Sequence, residues 1–110
     1  IIFINLWNTW CGPCVWEMSS MQNLFNEVRN DNLVFLFVSD EDQETLRDFL
    51  RSRNLNLPVY TVSKGQLPLG REVVPMTYII YKDGRTVYKF VGSAVWDTPE
   101  IKIFLKELSK

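Results

Sequence analysis

The chain has 110 residues, is 46% hydrophobic and carries a formal net charge of -1. That size and apolar content suit one compact domain, residues 1–110, with a core of its own. The near-neutral balance argues against a nucleic-acid partner, because the basic residues are scattered and paired with acids along helical patterns. With two cysteines and no histidine, a framework of several disulfides and the usual zinc or copper ligand sets are excluded within one chain. A metal shared between two chains through paired C-x-x-C motifs stays open.

No apolar run approaches the eighteen or so residues that span a bilayer, and nothing reads as a basic, apolar, then small-residue leader. The chain opens in mid-strand at Ile1-Ile2-Phe3-Ile4, without a turn or an initiator Met, so an upstream part that could hold a signal or anchor is expected. Ile1 to Leu6 is apolar at five of six positions, as suits a strand covered on both faces in a parallel sheet. Asn5 is the exception. It has two readings, an amide lying under the helix that follows or one bonded to nearby backbone.

Trp7-Asn8-Thr9-Trp10-Cys11-Gly12-Pro13-Cys14-Val15-Trp16-Glu17 holds both cysteines, three positions apart at the head of a helical pattern. Backbone N–H groups of a first helical turn lack partners and the helix dipole is positive there, so a thiolate at Cys11 is stabilised and should be nucleophilic. Residues three apart on a helix have Cβ atoms roughly 5–6 Å apart, close enough for a disulfide after small adjustment. As a staple such a bridge does little, since closing a ring of about four residues is worth only ~2 kcal/mol. A redox role fits the pair better. Pro13 stiffens the turn at a position where its missing N–H costs nothing.

Cys14, Met18, Met21, Phe25 and Val28, with Leu24 beside them, repeat at 4, 3, 4, 3, which predicts an amphipathic helix running to about Arg29 and ended by Asn30-Asp31-Asn32. Glu17 falls inside the apolar arc, roughly 60° from Cys14 at about 100° per residue. A carboxylate turned to the core loses hydration, which raises its pKa and lets it hold or release a proton near neutral pH. One turn from the more buried thiol, Glu17 is the candidate proton shuttle for Cys14. Its benefit to the helix dipole would be slight, since it lies past the first turn.

Leu33 to Val38 predicts a second interior strand, joined to the first by a right-handed βαβ crossover. Ser39-Asp40-Glu41-Asp42 caps a helix with Leu46, Phe49 and Leu50 inward and Arg47, Arg51 and Arg53 toward its end. Leu55 to Val62 reads as a loop into a short strand from Val59, and Lys64 to Gly70 as a turn containing one helical turn. Met76 to Tyr81 and Thr86 to Val91 form a hairpin through Lys82-Asp83-Gly84-Arg85. Pro75 stands at the mouth of the first of these strands. The residues alone favour an ordinary trans turn there, the other reading being a cis bond that exposes Val74 to a partner. Asp97-Thr98-Pro99-Glu100 starts a last helix whose inward face is Ile101, Phe104, Leu105 and Leu108.

Trp10-Cys11-Gly12-Pro13-Cys14 after a buried strand, with Val74-Pro75-Met76-Thr77 opening a hairpin strand, resembles the thioredoxin fold and its active-site motif. Asn5, Glu17-Met18 and Val91-Gly92-Ser93-Ala94-Val95-Trp96-Asp97 resemble its TlpA/ResA-like branch, thiol-disulfide oxidoreductases of bacterial cell envelopes. The resemblance covers nearly the whole chain. It implies an α/β fold with a central mixed sheet flanked by helices on both faces. It further implies Cys11 as the attacking thiol, Cys14 as the resolving one, a cis Pro75 facing them, and Glu17 as the acid that transfers the proton. Trp10, Gly12, Pro13, Val74 and Pro75 would hold the substrate. The expected activity is reduction of protein disulfides in the periplasm or cell envelope, by a monomer that takes electrons from an upstream thiol donor and needs no cofactor beyond its own disulfide. Two departures stand out: Ser19 occupies a position where proline commonly kinks the helix, and the fold's outer strand is expected outside this chain. The rival readings are a thiol peroxidase, for which a Thr three residues before Cys11 and a peroxide-holding arginine are lacking, and a non-enzymatic interaction module with a permanently closed bridge.

Overall fold

The structure, a computed structural model, describes residues 1–63 and 74–110. In chain order it contains β1 (Ile2–Leu6), α1 (Gly12–Trp16), α2 (Met18–Val28), β2 (Val34–Ser39), α3 (Gln43–Ser52), β3 (Val59–Thr61), β4 (Met76–Ile80), β5 (Thr86–Val91) and α4 (Pro99–Leu108). The strands form one mixed sheet in the order β3-β2-β1-β4-β5. β1 and β2 run parallel, as do β2 and β3, while β4 is antiparallel to β1 and β5 to β4. The place beside β2 is held by β3, a strand from within the chain. The turn expected over Lys64–Gly70 lies outside the described residues.

Alternation along the strands separates two faces. Phe3, Phe35, Phe37 and Ile79 enter a core with Met18, Met21, Leu24 and Val28 of α2, Leu46 of α3 and Leu105 of α4. Leu6, Val38 and Met76 make a smaller cluster on the other face, bordered by Val62 and Val74. The described helices thus pack on the first face, and the segment between Val62 and Val74 is outside the described residues. Helix starts follow the side-chain chemistry: Asp42 accepts from the Thr45 N–H at 2.8 Å, and Thr98 accepts from the Ile101 N–H at 3.3 Å ahead of Pro99.

Two expectations need correction. The helix predicted from Cys14 to Arg29 is two helices, interrupted at Glu17 without help from a proline. Ser20 sits beside the break: its hydroxyl donates to the Glu17 carbonyl at 3.0 Å, which also accepts from the Met21 N–H at 3.0 Å, and accepts from the Trp96 N–H at 3.0 Å. Phe104, expected inward, is 40% exposed. Its ring lies 6.3 Å from that of Tyr88 on β5, so it covers the rim of the sheet and not its core.

Candidate active site

β1 delivers the chain to the C-x-x-C stretch, and the carboxylate of Glu41 holds the connection. Glu41 accepts from the Thr9 N–H at 2.8 Å, from the Thr9 hydroxyl, and from the Ser39 hydroxyl at 2.9 Å. The loop before the cysteines is thereby tied to the end of β2. Cys11 then caps α1, with its Sγ accepting from the Cys14 N–H at 3.2 Å. Cys11 and Cys14 are joined by a disulfide with their Cα atoms 5.2 Å apart. Cys14 has no exposed surface, whereas Cys11 retains 6%, so only the first sulfur can be approached from outside.

Around that opening, Trp10 is 69% exposed, and Gly12 and Pro13 form the exposed first turn of α1. A Cβ at Gly12 would meet nothing within 4 Å, so the glycine leaves the approach uncrowded. Across from it, the Val74 carbonyl oxygen lies 3.9 Å from Cys11 Sγ. The Val74–Pro75 bond is cis, which overturns the trans turn favoured by the residues alone and agrees with the resemblance. Pro75 is buried, and its carbonyl accepts from the Gly92 N–H at 2.9 Å.

Glu17 has no exposed surface. Its position at the junction of α1 and α2 turns the carboxyl inward, where Trp96 Nε1 donates to Oε2 at 2.8 Å, the Ala94 N–H donates to the same oxygen at 3.2 Å, and Asn5 Nδ2 donates to Oε1 at 3.1 Å. Burial raises its pKa above the ordinary 4.5, and the three hydrogen bonds offset part of that rise. Two of these donors, Ala94 and Trp96, come from the stretch after β5, where Gly92 turns the chain with a φ of 101°, a left-handed conformation open to glycine. Sequence reasoning placed Glu41 only at the start of α3 and assigned no role to Ser20, Thr77, Ala94 or Trp96. Trp96 stood out only within a family phrase, and the backbone donor at Ala94 leaves no trace in residue type. Among the described residues, no group of three or more His, Cys, Asp or Glu is placed to hold a metal ion.

A five-stranded mixed sheet carrying a C-x-x-C disulfide at a helix start, with a cis proline against it, defines a thioredoxin-like protein. The profile of the AhpC/TSA family matches residues 1–89, and the chain belongs to that family. Its resemblance to the ResA-like branch also holds: it is 32% identical over 95 residues to the thiol-disulfide oxidoreductase ResA of Bacillus cereus, covering 83% of this chain and 54% of that protein. The chain thus spans about half the length of that relative. Among solved structures, StoA from Bacillus subtilis has a TM-score of 0.74 at 21% identity over 99% of this chain and 81% of its own. A secreted thiol-disulfide isomerase from Corynebacterium glutamicum has 0.79 at 20% over 96% and 70%. At those identities the likeness is one of fold.

Proposed function

We propose that the protein is a thiol-disulfide oxidoreductase that reduces disulfides in polypeptide substrates through Cys11 and Cys14. The observation that carries this reading is the asymmetric pair: one sulfur at the surface beside the Val74 carbonyl, its partner fully buried behind it. In the reduced protein the Cys11 thiolate attacks one sulfur of the substrate disulfide in line and expels the other as a thiolate. Cys14 then loses its proton to Glu17 and attacks Cys11 Sγ, which releases the second substrate sulfur and leaves the protein disulfide. Two electrons have passed to the substrate, and an upstream thiol donor must return them.

Trp10, Gly12, Pro13 and the cis loop at Val74–Pro75 are assigned to substrate binding, where the exposed indole offers an apolar face and the backbone beside Cys11 offers hydrogen bonds. Glu17 suits proton transfer because burial weakens its hold on the charged form, and because Oε1 has a single donor and so a free lone pair. The branch resemblance further supports action in a bacterial periplasm or cell envelope. Among the described residues no helix is long and apolar enough to cross a membrane.

The test is capture. Cys14→Ser should accumulate a mixed disulfide through Cys11 with a reducible polypeptide, Cys11→Ser should accumulate none, and at pH 6 the Cys11 of the reduced protein should alkylate about tenfold faster than an unperturbed thiol. A Cys11 no more reactive than a free thiol would leave a closed interaction module, and stoichiometric hydroperoxide consumption without disulfide reduction would replace this reading with a peroxidase.

A further inference from the structure

Asn5 is a wholly buried amide in an otherwise apolar strand. Both hydrogens of its Nδ2 are committed, one to Glu17 Oε1 at 3.1 Å and the other to Thr77 Oγ1 at 3.0 Å. Its Oδ1 has no partner. An amide kept for packing or strand stability would satisfy both ends or give way to an apolar side chain, since an orphaned buried acceptor is destabilising. This one gives up its acceptor side and directs its donor side at two groups of the site. Thr77 pairs with Asn5 across β1 and β4 and follows Pro75 by two residues, so the amide joins the Glu17 carboxyl to the strand that begins at the cis loop.

We propose that Asn5, held by Thr77, is a positioning residue for the thiol-disulfide reaction: it steers Glu17 Oε1 and sets the pH at which that oxygen can take the Cys14 proton. This rests on the assignment of Glu17 as proton acceptor. The two carboxyl oxygens are unequal, because Oε2 already accepts from Trp96 and Ala94 whereas Oε1 accepts from Asn5 alone. The proton therefore binds Oε1, the oxygen the amide touches. The groups that face the carboxyl are Asn5 from β1, and the Ala94 N–H and Trp96 from the stretch after β5. The titratable side chain nearest in the chain is Cys14, one turn back on α1, and no ion pair reaches Glu17 among the described residues. A hydrogen bond given to the ionised oxygen favours the charged form, which is the form that accepts the proton.

Two measurements test this. In the oxidised protein, where the cysteines do not titrate, the Glu17 carboxyl is followed by carbon-13 NMR against pH in the wild type, Asn5→Leu and Thr77→Val. In the reduced protein, the pH profile of the resolving step is read from the release of coloured thiolate after Cys11 has reacted with dithiobis-nitrobenzoate. Asn5→Leu should move the Glu17 midpoint to higher pH and slow release on the acid side of the profile about threefold to tenfold, the equilibrium worth of one hydrogen bond. Thr77→Val should act in the same direction and less strongly, and it carries the test if Asn5→Leu does not fold. A Glu17 midpoint unmoved or lowered in the folded variants overturns the role of Asn5. If instead Glu17→Gln leaves the release profile unchanged, the proton-transfer assignment fails, while the NMR titration still reads whether Asn5 governs the acid.

Discussion

At the scale of single residues the proposed chemistry turns on two groups kept out of water, Cys14 and Glu17. For Glu17 the consequence for stability has a definite sign. Burial holds its pKa above 4.5, with Trp96, Ala94 and Asn5 offsetting part of the rise, so in the pH range just above 4.5 the folded protein retains a proton that the unfolded chain has released. Stability therefore falls as pH rises through that range. Glu17→Gln removes the titration, and the Asn5 amide can turn to present Oδ1 to the new side-chain nitrogen. Thermal melts at pH 4 and pH 8 should show the variant gaining on the wild type as pH rises. A difference in Tm that stays constant would contradict the raised pKa of this carboxyl in the folded state. The position of Glu17 in the apolar arc was legible from helical spacing, because the period of 3.6 applies to any residue type. Its donors were not legible, since Ala94 contributes only a backbone N–H and the Trp96 indole reaches the site from a stretch 79 residues further along the chain.

Among elements, the break between α1 and α2 carries the most consequence. The periodicity of Cys14, Met18, Met21, Leu24 and Val28 is continuous across Glu17, so spacing alone predicts one helix. At the break, the Ser20 hydroxyl donates to the Glu17 carbonyl and receives the Trp96 N–H. One hydroxyl thus ties the helix junction to the stretch that supplies two of the three donors to the acid. Ser20→Ala leaves the Trp96 N–H without its acceptor and should cost about 1 kcal/mol, measured by urea denaturation. It should also raise the Glu17 titration midpoint as Ala94 and Trp96 loosen. The hairpin, by contrast, was readable letter by letter. Asp83-Gly84 predicts the turn, and Gly84 adopts a φ of 90° with its N–H bonded to the Tyr81 carbonyl at 2.8 Å.

Taken whole, the molecule is a sheet with one thick aromatic layer. Phe3 lies at its centre on β1, with ring centroids 5.0 Å from Phe35, 6.3 Å from Phe37 and 5.6 Å from Trp96. Because Trp96 also makes the shortest hydrogen bond to Glu17, core packing and the site share a side chain. Phe3→Ala should cost about 3–5 kcal/mol, visible as a lower urea midpoint, and the loss should be accompanied by a higher Glu17 midpoint where the fold survives. A lost stability with an unmoved carboxyl would separate the core from the site.

The order of strands and helices, the closely spaced cysteines, the buried acid and the hairpin all follow from local information. Apolar runs, periodicity, capping residues and turn dipeptides act through neighbours a few positions away. The cis bond before Pro75, the break at Glu17, the partners of Asn5 and the outer place of β3 depend on contacts between segments distant in the chain. There the intrinsic preference of the residues is small, or points the other way, and the energy of packing β1, β4 and the stretch after Gly92 against one another decides.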